Sequence, residues 1–337
     1  MSYAGSELLT VVSPSSLETW YGRFCGPADR VLFVGEGEQE VSALAERVVR
    51  EAAGTVVRVL SGHDSLLRDW TLAQDLRRRG LTVKSQSGMA VSAGLDKVLQ
   101  KNLLDGVHVA VPAWGGQMTP VPRGTRALWK GRASTQSRLV RWRTPDEIPP
   151  PDCYWEEFVD GDEYSVVLHR DEGRTALFPA VWKGAVQADL TPPWRRLRLV
   201  PAGAPEPLVR RLHAIAEQIA ELFDLWGFAE VEFIVPRDGE PLVTEVNPRV
   251  CGTMRIVAMA TGVAIFDPTA VSRLVEPPAA YHAAEIPYAG PPVDSPTVVA
   301  TSRLTCRGTS PDEVFATLAA RGFDGSASTV PEAWRAH

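Results

Sequence analysis

The sequence predicts an α/β protein: a small N-terminal parallel α/β domain followed by a larger mixed α+β body. Three observations predict it. Strand-like and helix-like runs alternate over residues 1–90, the pattern of a parallel sheet with helices on its faces. Residues 206–226 place Leu208, Leu212, Ile215, Ile219 and Leu222 three or four positions apart, which marks one long amphipathic helix. Two β-rich runs, 228–235 and 241–247, flank Asp238-Gly239. That dipeptide is a strong hairpin signal, because a type I′ turn needs positive φ at both central residues.

Size and charge set the bounds. The 337 residues are enough for two or three domains. A net charge of −6 and a pI near 5.6 argue against a general nucleic-acid partner. The first residues lack a basic segment followed by an apolar one, so no secretory signal is expected. The most apolar stretch, 256–266, is too short to span a bilayer. Cys25, Cys153, Cys251 and Cys306 are widely spaced and form no Cys-x-x-Cys pair. They read as reduced thiols of a cytoplasmic protein, not as a disulfide frame or a zinc site.

In chain order, Arg30 to Val34 is a short strand, and Val41, Leu44, Ala45, Val48 and Val49 mark the helix after it. The Gly35-x-Gly37 between them suggests a dinucleotide loop. The third glycine position holds Glu40, however, and Glu36, Glu38 and Glu40 would repel a pyrophosphate. A second unit follows: strand 56–60, helix 66–79 stopped by Gly80, and strand 81–84. A short helix then ends at Gly106, and an extended run leads to Pro112. Arg126 to Lys130 is a strand ending on a lysine, followed by a loop containing Gly131, Ser134, Thr135 and Ser137. Past Pro149, Pro150 and Pro151, another β-rich run carries Glu156, Phe158, Gly161 and Glu163. Residues 174–203 are less regular and hold Lys183, Arg195, Arg196 and Arg198. Thr253 is a plausible cap for a helix that ends at Gly262. Six prolines between 277 and 296 suggest a linker, and strand 297–306 and helix 310–321 form a tail.

The hairpin carries the first chemical signal. With a two-residue turn at 238–239, Glu232 stands opposite Glu245. Opposed side chains have Cβ atoms roughly 5 Å apart, and like charges there are destabilising. A divalent cation between them resolves the conflict, and Mg²⁺ (or Mn²⁺) suits oxygen ligands. Asn247, two residues beyond Glu245, projects from the same face and adds a neutral oxygen. The metal set is therefore Glu232, Glu245 and Asn247.

Glu232 with Glu245-Val-Asn247-Pro-Arg249 resembles the metal-binding end of the ATP-grasp ligases. Other motifs follow in that family's order over about 95–262, half the chain: Lys97, Lys130, Glu156 and Glu163. The resemblance implies a two-lobed ATP-grasp domain, with a small lobe at 93–160 and a large lobe at 161–275. An N-terminal domain at 1–92 precedes it, and a linker and tail at 276–337 follow it. It implies ATP and Mg²⁺ (or Mn²⁺) as cofactors. Lys97 and Lys130 would then hold phosphates, with Lys101 one turn beyond Lys97. Glu156 and the backbone near Phe158 would hold the adenine edge, and Glu163 the ribose hydroxyls. Lys183 would meet a substrate carboxylate or phosphate. Arg249 and Arg255 would be catalytic, stabilising charge on an acyl phosphate. The loop after Lys130 has one glycine where the family often has several.

The implied reaction is carboxylate–amine ligation through an acyl phosphate, with ADP and phosphate released. The ligases that act on amino acids and dipeptides are the nearest likeness. The partners are then a small carboxylic acid and an amine, with no nucleic acid and no membrane; a homodimer is compatible. Two other readings use the same residues. One is a ligase acting on peptide side chains to form macrocycles. The other is a nucleotide-binding protein of the same fold without turnover.

Overall fold

The computed structural model describes residues 8–12, 30–35, 40–52, 54–62, 64–133, 139–144, 147–237, 239–323 and 330–335. These residues build three sheets. The first is parallel, in the order β2-β1-β3-β4, from β1 (Leu8–Val12), β2 (Arg30–Phe33), β3 (Val56–Leu60) and β4 (Val83–Lys84). Helices α1 (Val41–Ala52) and α2 (Leu66–Arg78) bury Leu44, Ala45, Val48, Leu72, Ala73 and Leu76 against it. The expected alternation is present, but β1, which both β2 and β3 need as a partner, was not anticipated. Residues 36–39 of the glycine-containing loop lie outside the described residues. Glu40 accepts hydrogen bonds from the N–H groups of Ser42 (3.0 Å) and Ala43 (2.6 Å). The N-terminus of α1 is thus capped by its own carboxylate, which bears against a dinucleotide loop there.

Helix α3 (Gly88–Leu95) is followed by α4 (Lys97–Gly106), which Asp96 caps by accepting from Val98 and Leu99 N–H. The run to Pro112 joins no regular strand ladder. It passes irregularly beside the main sheet, where Val243 N–H donates to Ala110 O at 2.8 Å. The second sheet is small and antiparallel, in the order β5-β8-β6-β7: β5 (Trp114–Gly115), β6 (Ala127–Gly131), β7 (Val140–Trp142) and β8 (Cys153–Glu157). Ser134, Thr135 and Ser137 lie outside the described residues.

The third sheet has ten strands. They are β9 (Gly161–Asp171), β10 (Arg174–Leu177), β11 (Val181–Ala185), β12 (Arg198–Val200), β13 (Gly227–Pro236) and β14 (Leu242–Asn247). Then come β15 (His282–Pro287), β16 (Val293–Asp294), β17 (Val298–Ala300) and β18 (Arg303–Gly308). The path is β14-β13-β9-β11-β12-β15-β18-β17-β16, with β10 added to β9. The expected proline-rich linker therefore contains β15, a strand in the middle of this sheet. Its prolines fall outside the strand or at its last residue, where a missing N–H costs least. The tail is part of the same sheet, and its helix, Pro311–Ala319, packs on β15 and β18.

Alternation along the strands separates two faces. Tyr164, Val166, Trp182, Leu199, Val231 and Leu304 point into one core beneath α5 (Glu206–Leu222), which packs on β9 and β10. Val167, Val181, Val200, Phe228 and Ala283 point into another, shared with α6 (Met254–Thr261). The short α7 (Pro268–Val271) follows. Glu230, Glu232, Ser165, Arg198 and Glu285 are in phase with this second face, so the polar residues form a patch beside the α6 core. Among the described residues, no helix is long and apolar enough to cross a membrane.

Candidate active site

The hairpin β13–β14 pairs Glu232 with Glu245 and Glu230 with Asn247, as the sequence suggests. The turn is not the simple two-residue one. Toward the loop, Phe233 pairs with Val243 and Ile234 with Leu242, so the register slips by one after Glu232. Thr244 is the extra residue of this bulge, and it lines the adjoining cleft. Asp238 lies outside the described residues.

Both opposed carboxylates have a lysine beside them. Lys183 Nζ is 3.0 Å from Glu232, and Lys97 Nζ is 3.4 Å from Glu245. Burial pushes the Glu232 carboxyl above its usual range; Lys183 works against this, while Glu230 and Glu245 add to it. Burial acts the same way on Glu245, but Lys97, Lys130 and Arg249 outweigh it and hold that carboxyl low. Asn247 donates to Glu232 at 3.2 Å through its amide nitrogen, and its oxygen accepts from Arg249 at 2.8 Å. The expected oxygen donation from Asn247 requires the amide turned over.

A cleft of about 120 Å³, open to solvent, lies between the small sheet and this hairpin. Of the residues singled out in the sequence, Lys97, Lys130, Glu156, Phe158, Glu163, Glu232 and Glu245 line it. The topology brings them together: α4 supplies Lys97, β6 Lys130, β8 Glu156, β9 Glu163 and the hairpin the two acids.

Three of these residues differ in detail from expectation. The Glu156 carboxylate is held between Lys130 (2.7 Å) and Lys101 (2.8 Å). Burial alone would raise its pKa, but the two lysines bring it down to about 2. Its first engagement is with the two lysines, not with a base. Lys101 is fully buried and also donates to Val243 O at 3.2 Å. Burial and Lys130 depress its pKa, against the pull of Glu156. Burial likewise opposes the charge on Lys130, but Glu156, Tyr154 and Glu245 prevail and raise its pKa. Phe158 uses its own N–H on Arg126 O, and its ring lies 4.7 Å from Trp142 and 4.5 Å from the Arg126 guanidinium. It therefore serves the cleft as an apolar wall. Glu163 pairs with Arg196 at 2.9 Å, and Arg196 also donates to Ala185 O.

Lys183 is buried behind the hairpin, reaching Glu230 at 3.5 Å as well as Glu232. Arg249 stays beside Asn247. Arg255 does not flank the carboxylate pair as expected: α6 directs it onto Glu285 (2.8 Å) and Thr301 (3.3 Å). Thr253 occupies the cap position of α6, yet its hydroxyl donates to Glu230 at 2.5 Å instead of capping. Burial opposes the Glu230 charge, but Lys183, Thr253 and Arg198 hold its pKa at about 2. Sequence reasoning missed Glu230, although it stands two residues before Glu232 on the same face. Arg196, one of the arginines noted over 174–203, also lines the cleft, whereas Glu285 was missed because its partners come from distant elements and leave no local signal.

Among the described residues, no three His, Cys, Asp or Glu side chains gather as a metal cage. The two hairpin carboxylates are hard oxygen donors, and Asn247 completes an all-oxygen set once its amide is turned over. That set fits Mg²⁺ or Mn²⁺, which keep substrate phosphate oxygens and water in their shells.

Comparison with known proteins agrees with this geometry. A family model described as an ATP-grasp domain matches residues 95–253. No curated protein matches the sequence. Among solved structures, an L-amino acid ligase from Bacillus licheniformis superposes with TM-score 0.69 at 13% identity, covering 94% of this chain and 96% of that one. The biotin carboxylase domain of 2-oxoglutarate carboxylase from Hydrogenobacter thermophilus, solved with MgADP and bicarbonate, gives 0.72 at 11% identity, covering 94% and 89%. N5-carboxyaminoimidazole ribonucleotide synthetase from Thermotoga maritima gives 0.65 at 15% identity, covering 94% and 98%. Residues 95–253 are an ATP-grasp domain, and the chain that carries them has the ATP-grasp fold.

Proposed function

We propose that the protein is an ATP-dependent carboxylate–amine ligase that joins a small carboxylic acid to an amine and releases ADP and phosphate. One observation carries the reading: in an ATP-grasp domain, Lys97, Lys130, Glu232 and Glu245 face a single cleft from both lobes. The solved relatives include an amino-acid ligase and enzymes crystallised with ADP, which supports the same class of reaction.

In this reading Lys97 and Lys130 neutralise phosphate oxygens, and the acid pair with Asn247 holds Mg²⁺ or Mn²⁺. The bound cation would screen the charge that builds up on the transferred phosphoryl group. Alignment and charge neutralisation dominate phosphoryl transfer, so no protein base is needed for the acid to attack. Lys183, anchored by Glu230, keeps Glu232 turned toward the cleft. Arg249, which now holds the Asn247 oxygen, is released when that amide turns and places a cation beside the reacting carboxylate. Phe158 and Val159 supply an apolar wall for a flat base.

The test is release of ADP and phosphate from ATP against a panel of acids and amines. Release that requires both an acid and an amine supports the ligase. AMP and pyrophosphate as products would overturn the acyl-phosphate route.

A further inference from the structure

One row of polar residues crosses the large sheet on the face that carries Glu232. Glu232 pairs with Ser165, Arg198 pairs with Glu285, and Glu285 pairs with Thr305. Lys183 and Arg198 flank the Trp182–Leu199 pair between them. At the far end, the fully buried Glu285 is bound by Arg198 (3.1 Å), Arg255 (2.8 Å) and Arg303 (2.6 Å), and by the Thr305 hydroxyl (2.8 Å).

Three guanidiniums on one carboxylate leave two positive charges without a counter-ion inside the cluster. Glu230, the next acid along, also attracts Arg198, but its close contacts are with Lys183 and Thr253. Among the described residues, Arg198 Nε and Arg303 Nη1 meet no hydrogen-bond acceptor. Arg198 is only 7% exposed. Burial, with Arg198 and Arg255 close by, pulls the Arg303 pKa down to about 10, against Glu285. A cationic excess held this deep is costly unless an anion joins it.

We propose that this cluster, chiefly Arg198 and Arg303, binds a second anionic group of the acid substrate, a carboxylate or a phosphate. The inference rests on the ligase reading and narrows it: the acid is dianionic. Its reacting carboxylate sits at the Glu232–Glu245 end, and its second anion at the arginines. From β13 to β12 is three strand spacings, roughly 14 Å before the side chains lean inward. The two charges therefore belong at opposite ends of the molecule.

Calorimetric titration of the full chain tests this without turnover. The probes are suberate against octanoate, which differ by one carboxylate, and 8-phosphonooctanoate against octanoate, which differ by a phosphonate; both dianions are long enough to carry their charges at opposite ends. At least one dianion should bind about tenfold or more tightly than its partner, the scale of a charged hydrogen bond. Whichever pair shows the difference identifies the anion. Arg303→Gln and Arg198→Gln should each remove the advantage, and Arg303→Lys should restore part of it. Thermal melts of the variants check that they fold. Equal binding within both pairs overturns the proposal, as does an advantage that survives in both glutamine variants. Loss of ATP turnover with every acid, alongside intact dianion preference, would instead count against the ligase reading alone.

Discussion

Glu232 and Glu245 stand directly opposite each other across the β13–β14 ladder, one beside Lys183 and the other beside Lys97. Opposed acids each carrying a separate cation are poised to exchange those partners for one shared ion. Glu245→Gln is expected to abolish ADP release while shifting the melting temperature little. Chelation of divalent cations should silence the native protein, and Mg²⁺ or Mn²⁺ should restore it. Product assays before and after re-addition check both points, and full activity of Glu245→Gln would remove Glu245 from the metal set.

Lys101 has no route to solvent and depends on Glu156. Lys101→Met leaves Glu156 with one cation in place of two. Removing one partner from a buried ion pair typically costs about 3–5 kcal/mol. Urea melts should show a loss on that scale, and adding Glu156→Gln to Lys101→Met should recover part of it. An unchanged midpoint for Lys101→Met would mean the pair contributes no net stability.

Gly161 opens β9 where the chain leaves the small lobe. A Cβ there would run into the carbonyl oxygen of Val235 on β13. Backbone cannot step aside as a flexible side chain can, so Gly161→Ala should cost about 1–3 kcal/mol, the range for overpacking. Gly173→Ala serves as a control of different origin, since no atom lies within 4 Å of its Cβ and only its positive φ is strained. Comparing the two melts separates collision from backbone strain.

His169 is buried against Phe228, and burial with Arg58 nearby lowers its pKa to about 3. The unfolded chain binds this proton near pH 6.5, its ordinary value. Between those two pH values the unfolded state holds more protons, so stability must fall as pH falls from about 6.5 toward 3. His169→Phe should flatten that part of the profile. Melting temperature measured from pH 7 to pH 4 checks this, and an unaltered slope in the variant would rule out His169 as its source.

The N-terminal alternation, helix 206–222 and the Glu232–Glu245 register were legible because each rests on local periodicity or on a hairpin. Even there, the register came out right across a bulge at Thr244 that no local pattern announces. The nature of Glu156 was not legible. Its two lysines arrive from α4 and β6, 55 and 26 residues away in the chain, and only the assembled lobes show that they converge. Proline spacing likewise pointed to a linker over 276–296, because strand pairing with β12 and β18 is a long-range property. Arg255 was placed on the correct helix, but its direction depended on Glu285, which lies on the strand that proline reading concealed.

The unbroken ladder from β14 to β16 has a mechanical meaning. The β13–β14 hairpin and the strands that carry Arg198, Glu285 and Arg303 belong to one plank of hydrogen-bonded backbone. The small antiparallel sheet β5-β8-β6-β7 joins that plank where the chain passes through residues 106–114 and 157–161. Any change in the width of the cleft has to be absorbed by those two stretches of backbone.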